Sequence, residues 1–178
     1  MQRFITLAFS ALLLLSLNAA TPETHYTVIV SLDGFRWDYP DMYKTPNLDR
    51  MAADGVKAVM LPSYPASTFP NHYTLATGLV PDHHGIINNT FWDVKNRRQY
   101  SMGDSATRNN PEYYLGEPIW ITAQKQGVKT GNMYWVGSDI AIKKSHPTYY
   151  RPWNAKPFLT FEPVSYTHLR AHETLMNL

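Results

Sequence analysis

The run Tyr26–Gly34, YTVIVSLDG, limits the fold more than any other stretch of this chain. Its apolar and β-branched residues follow one another without the alternation of a half-solvated strand. That is the pattern of a strand buried on both faces of a parallel sheet. The run ends in Asp33-Gly34, which puts the Asp33 carboxylate at the carboxyl edge of such a sheet, where ligands of open α/β sheets gather. TPNLDRMAADG follows with helix signals: Thr45 as N-cap, Pro46 at the first helical position, Leu48, Met51 and Ala52 on one face, and Gly55 as the stop. VKAVML, residues 56–61, reads as a second strand, and a Pro/Ser-rich loop then leads into a helix opening at Thr68. GIINNTFWD is a third extended segment. EPIWITAQKQG is a helix with Ile119, Trp120 and Ala123 on one face and Gly127 at its end, and KTGNMYWV is another strand. Strand and helix alternate, which predicts an α/β layered domain.

The two ends depart from that rhythm. Residues 1–20 carry Arg3, an apolar run from Phe4 to Leu17, and small residues at Ala19 and Ala20. This is the layout of a secretory signal peptide, with an uncleaved anchor helix as the other reading. The mature chain is then expected from Thr21, secreted or periplasmic, with no membrane span left after cleavage. Residues 164–178, VSYTHLRAHETLMNL, do not continue the strand–helix order and are read as a non-native tail. The four-residue spacing of His168 and His172 is therefore set aside as a metal signal. The domain proper is expected over 21–163. The absence of cysteine excludes disulfides and thiolate metal sites. A net charge of +2 is too small to favour duplex nucleic acid, and no protein partner is predicted. Asn88-Asn89-Thr90 matches a glycosylation sequon, which is idle in a bacterial source.

The chemistry is expected at Thr68. A helix starting there presents backbone N–H groups and the positive end of its dipole to an anion. If Asp33 and the Thr68 hydroxyl share a divalent metal, the hydroxyl becomes a nucleophile without a histidine base, aimed at a phosphoryl or sulfuryl group. Spacing alone leaves other readings open. A threonine before a helix is commonly just a cap, and Asp-Gly after a strand is commonly just a turn.

Four stretches taken together carry more: VIVSLDGFRWDY, TPNLDRMAADG, PSYPASTFPNHYTLATGLVPDHHGIINNTFWD and EPIWITAQKQGVKTGNMYWVGSD. They resemble the nucleotide pyrophosphatase/phosphodiesterase family of the alkaline phosphatase superfamily, from about Tyr26 to Phe158. The resemblance implies an alkaline-phosphatase-like α/β fold, with a mostly parallel sheet flanked by helices, here as the N-terminal part of the catalytic domain. It implies zinc-dependent hydrolysis of phosphodiester or pyrophosphate bonds through a covalent phospho-threonine intermediate. Thr68 aligns with the nucleophile. Asp33 and Thr68 align with ligands of one of two zinc ions. Asn89 aligns with a donor to a non-bridging phosphate oxygen. Phe69 aligns with a substrate-pocket aromatic, and Trp135 and Asp139, in WVGSD, with a segment bordering the nucleotide pocket. Trp153 falls near a family tyrosine that stacks on the nucleobase, a position where this chain has Trp. His72, His83 and His84 are not ligand positions in the family pattern and are read as structural or exposed. Met102 has two readings, a pocket-lining residue or an exposed loop residue.

The family's remaining ligands, two aspartates and three histidines, have no counterpart in this chain. Only part of one zinc site is expected, so the fragment as given is expected to be nearly inactive and poorly metallated. The substrate expected is a small phosphodiester, a nucleotide being favoured over a lipid ester by the aromatics. Three alternatives remain. A sulfatase-like hydrolase fits Thr68, Pro70, Thr77 and Gly78, although threonine cannot become formylglycine and His72 stands where that family has arginine. A phosphomonoesterase fits less well with Asn89 in place of a cation. A non-catalytic nucleotide-binding fragment would keep the aromatics without the chemistry.

Overall fold

The computed structural model describes residues 25–152, as two compact units that divide between Gly34 and Phe35. The expected signal peptide, the tail after residue 163, and Trp153, His168 and His172 lie outside the described residues.

In the first unit, residues 25–32 form no regular secondary structure, and a turn follows at Asp33-Gly34, where Gly34 has φ +70°. Here the structure departs from expectation. No strand is formed, and Val28, Ile29, Val30 and Leu32 are exposed. Residues 56–61 in the second unit behave in the same way, with Val56, Val59, Met60 and Leu61 exposed. The physical reason is that a strand is a pairing. A β-branched run supplies the propensity, but a neighbour must supply the ladder of N–H and C=O partners. Among the described residues no strand pairs with either run.

The second unit carries the helices. α1 spans Tyr39–Met42 and α2 spans Pro46–Asp54, with Thr45 as N-cap, Pro46 at its start and Gly55 as C-cap, as the sequence predicts. None of its residues is buried; on its apolar face Leu48 and Ala52 are half-buried and Met51 is exposed. α3, Thr68–Thr77, buries Phe69, Pro70, Tyr73 and Ala76 and ends at Gly78 in the left-handed conformation. α4 is the single turn Pro81–His84, closed by Gly85 at φ +86°. A Cβ at Gly85 would sit 2.5 Å from the Tyr113 carbonyl oxygen, so both the angle and the close approach of backbone call for glycine.

Next comes an antiparallel hairpin of β1, Thr90–Asp93, and β2, Arg98–Ser101, in register Thr90↔Ser101 to Asp93↔Arg98. Its loop is organised by Asp93 Oδ1, which accepts from the N–H groups of Lys95 and Asn96. α5, Ser105–Arg108, is capped by the Asp104 carboxylate accepting from Ala106 N–H. A 3₁₀ turn, Pro111–Tyr113, leads to α6, Ile119–Lys125. Its buried residues are Trp120 and Ile121, whereas Ile119, expected on the inner face, is 53% exposed. β3, Gly131–Met133, and β4, Tyr149–Arg151, form a short parallel pair.

Aromatic rings build the core. Phe69, Tyr73, Tyr100, Tyr113, Tyr114 and Trp120 pack with Ile86, Ile121, Val136, Ile140 and Ile142. Tyr73 stands edge-on to both His84 and Tyr114, at centroid separations of 5.0 and 5.2 Å. Three of the buried tyrosine hydroxyls are satisfied internally: Tyr73 donates to the Leu115 carbonyl at 3.0 Å, and the Tyr100 and Tyr114 hydroxyls meet at 3.1 Å. α3 packs on α4 and α6.

Candidate active site

α3 opens without the usual help. Ser67, its N-cap, has extended geometry (φ −109°, ψ 156°) but makes no side-chain cap bond. The cap comes from elsewhere: Asn89 Oδ1 accepts from Phe69 N–H at 2.9 Å. This is the bond an N-cap side chain makes to the second helical residue, delivered from a segment that is remote in sequence. Asn89 is itself fixed by the hairpin. Its carbonyl accepts from Met102 N–H at 2.9 Å, one step beyond the β1–β2 ladder, and its N–H donates to Asn88 Oδ1 at 2.8 Å. Because its side-chain oxygen is committed to Phe69, the Asn89 amide presents its NH₂ group as the donor.

The first turn offers fewer N–H groups than the sequence suggests. Pro70 has none, and the Phe69 N–H is given to Asn89. Thr68 is half-buried at the first helical position, and its carbonyl oxygen lies 2.8 Å from His72 Nδ1. His72 in turn accepts at its carbonyl from the Trp135 indole N–H at 3.1 Å, and the two rings meet edge-on at 5.7 Å. The Trp135 segment is a tight turn in which Ser138, fully buried, returns both its N–H and its hydroxyl to the Trp135 carbonyl.

Thr68, Phe69 and Asn89 are thus brought together, and Trp135 joins them through His72. The Phe69 ring, expected as a substrate-pocket aromatic, is 1% exposed and packs in the core. Asp139 lies on the side of the buried tyrosines, where its charge helps raise the hydroxyl pKa values of Tyr100 and Tyr114, after burial as the larger cause. Met102 packs partly buried against the core. His84 is fully buried, with Nδ1 accepting from Ile86 N–H and Nε2 3.0 Å from the Thr74 hydroxyl, while His83 is exposed. Asp33 lies at the turn that ends the first unit.

Two further residues, Asn71 and His72, matter here. Asn71 holds the loop before Thr68, accepting from Ser63 N–H at 2.7 Å and donating to the carbonyls of Pro65 and Ser67 at 2.9 and 3.0 Å. His72, read from the sequence as structural or exposed, is half-buried, and its bridging position is not foreseen. The available hint for Asn71 is a polar residue in a helix's first turn after a proline-rich loop, a place from which side chains reach back. A shallow groove of about 390 Å³ runs beside this loop, between Ser63–Pro65 and Pro81, but neither Thr68 nor Asn89 lines it.

The family model described as type I phosphodiesterase / nucleotide pyrophosphatase matches residues 27–174. The chain belongs to that family. Family member 1 of the ectonucleotide pyrophosphatase/phosphodiesterases from Homo sapiens is 43% identical over 140 residues, covering 76% of this chain and 15% of that protein. Venom phosphodiesterase 2 of Crotalus adamanteus is 41% identical over 130 residues, covering 71% of this chain and 16% of that protein. Among solved structures, murine ectonucleotide pyrophosphatase / phosphodiesterase 5, an inactive threonine-to-alanine variant in complex with AMP, superposes with a TM-score of 0.65 at 36% identity, over 72% of this chain and 34% of that one. This phosphodiesterase-family chain therefore has part of the α/β fold of its relatives and spans about a sixth of the length of the curated ones.

Zinc, implied by the resemblance, does not fit the donors at hand. Among the described residues no group of three or more His, Cys, Asp or Glu side chains comes together. A catalytic zinc takes three protein ligands and a structural one takes four.

Proposed function

We propose that this chain carries the nucleophile side of a phosphodiesterase site that cleaves phosphodiester or pyrophosphate bonds, with nucleotides as substrates. The observation that carries this reading is the Asn89–Phe69 hydrogen bond, which ties a neutral amide donor to the helix opened by Thr68. In this reading the Thr68 hydroxyl attacks phosphorus, the bond to the leaving oxygen breaks, and a phospho-threonine ester forms. Water then releases the product. The Asn89 NH₂ group donates to a non-bridging oxygen. A neutral donor suits a diester, whose transition state carries less charge than that of a monoester, so orientation counts as much as compensation. Trp135 borders the nucleobase, with Asp139 and Trp153 as further contacts, and Phe69 acts through packing. Family relatives are named as nucleotide pyrophosphatases and venom phosphodiesterases, and a structural neighbour made inactive by changing one threonine binds AMP.

The mature chain is proposed to be secreted, in line with relatives named as ectoenzymes and venom enzymes. Because the described donors do not make a zinc site, turnover by this chain alone is proposed to be slow. The same observation favours one further reading, a nucleotide-binding fragment without chemistry. The deciding experiment is hydrolysis of a nitrophenyl phosphodiester with and without added zinc, for the parent chain and Thr68→Ala. Slow release that vanishes in Thr68→Ala supports the nucleophile. Release indifferent to that change removes it. Rapid zinc-dependent turnover would show that the metal site is complete after all.

A further inference from the structure

We infer that Asn71 is a positioning residue for Thr68: its amide sets the course of residues 63–67 and so fixes where Thr68 enters α3. The inference rests on the proposed role of Thr68 and adds to it. Loop 63–67 has little else to hold it. Tyr64 is 93% exposed, and Ser67 makes no side-chain cap bond. The one backbone bond inside the loop runs from Ser67 N–H to the Pro65 carbonyl at 2.8 Å. Into this gap the Asn71 side chain reaches back from the first turn of the helix. Its oxygen accepts from Ser63 N–H at 2.7 Å. Its NH₂ group donates to Pro65 at 2.9 Å and Ser67 at 3.0 Å, with the Ser63 carbonyl more distant at 3.4 Å.

The chemistry of the contacts fixes which end of the amide is which. One partner is a donor and the two nearer of the others are carbonyl acceptors, so a group with an acceptor at one end and two N–H donors at the other satisfies these three. A carboxylate of the same shape would keep the Ser63 bond and turn its second oxygen onto the carbonyls of Pro65 and Ser67. The Ser67 carbonyl, held from one side by Asn71 Nδ2, also accepts the first helical bond from Asn71 N–H at 3.2 Å. One residue thus fixes both the last peptide of the loop and the first turn of the helix. Thr68 is the next residue in the chain, so the position of its hydroxyl follows from theirs. A displacement of about 1 Å at a reacting group costs on the order of 100-fold in rate.

The test uses the full chain with Asn71→Ala, Asn71→Asp and Thr68→Ala, each checked by thermal melting. Hydrogen exchange of a peptide covering residues 62–67 reads the loop, and hydrolysis of the nitrophenyl diester reads the site. Both Asn71 variants are expected to speed loop exchange about tenfold or more, and to lower the Thr68-dependent kcat by roughly 10- to 100-fold with less than about threefold change in KM. A substitution that only destabilised the fold would lower the active fraction by the same factor as the folded population seen in the melt. Thr68→Ala is expected to abolish turnover with loop exchange unchanged. Unchanged exchange in both Asn71 variants overturns the inference, and so does faster exchange with kcat intact. If Thr68→Ala retains turnover, the nucleophile reading falls, and the exchange data alone decide whether Asn71 holds the loop.

Discussion

Asn89 Oδ1 accepts a hydrogen bond from Phe69 N–H at 2.9 Å, so a residue from the approach to the hairpin caps the helix that Thr68 opens. One contact serves two ends. It satisfies an orphan donor at a helix start, and it leaves the NH₂ end of the amide as the donor.

These two roles separate by mutation. Asn89→Ala removes the cap and should cost about 0.5–2 kcal/mol of stability. Asn89→Asp keeps an acceptor for Phe69 N–H and adds a negative charge that the helix dipole favours, so stability should be retained or slightly raised. The same charge would repel a phosphoryl group and remove the donor. Denaturant melts should therefore rank Asp at or above the parent and Ala below it. Diester hydrolysis should fall in both variants.

His84 makes stability depend on pH. Its ring is fully buried, and desolvation, the largest cause, lowers its pKa below the ordinary 6.5. With Nδ1 accepting from Ile86 N–H, the neutral ring places its proton on Nε2, facing the Thr74 hydroxyl at 3.0 Å. The unfolded chain takes up a proton on this group before the folded one does. The stability associated with His84 is then fully present above pH 6.5 and is lost as pH falls below that value toward the lowered folded pKa. Melting temperature measured from pH 7.5 down to 5 should drop, and the drop should shrink in His84→Gln.

How much of this was legible in the sequence depends on the range of the interaction. α2 is legible because capping and glycine stops are local, with Pro46 at its start and Gly55 after its end, and α3 because its start at Thr68 follows a Pro/Ser-rich loop. Residues 26–34 and 56–61 read as strands because the chain carries β propensity there, but propensity is only half of a strand. The inner face of α6 was misjudged by one position at Ile119, since a seven-residue helix offers too few turns to fix its phase. Thr68 stands out from its place at a helix start, and Phe69 and Asn89 through the family resemblance, but the bond that joins Asn89 to Phe69 spans 20 residues and leaves no periodic trace. Asn71 was passed over because its four contacts reach into a loop whose course no pattern encodes.

The Tyr100–Tyr114 hydroxyl pair should behave as a unit. Both rings are buried, and the oxygens lie 3.1 Å apart. Tyr100→Phe leaves the Tyr114 hydroxyl without this partner and should cost about 1–3 kcal/mol. Adding Tyr114→Phe removes the orphan, so the double variant should be more stable than the two losses summed. Burial also pushes the Tyr100 hydroxyl up to about 12. Its contribution to stability is thus intact below pH 10 and is lost as pH rises from 10 through 12, where the unfolded chain gives up the proton first. Denaturant titrations at pH 8 and pH 11 on the parent, both single variants and the double variant check both statements.

Trp135 distinguishes a packing residue from a ligand contact. Its indole N–H donates to the His72 carbonyl, which is also within the bonded stretch of α3, so that oxygen is not stranded when the donor goes. Trp135→Phe should therefore cost only about 0.5–1.5 kcal/mol of stability, while keeping an aromatic face. Trp135→Ala removes the face as well. If the ring borders a nucleobase as proposed, calorimetric binding of AMP should be nearly unchanged in Trp135→Phe. It should weaken by about 1–3 kcal/mol, roughly 5- to 150-fold, in Trp135→Ala. Equal affinity for AMP in all three proteins, with melting temperature alone falling, would make Trp135 a strut between the tight turn and α3 and nothing more.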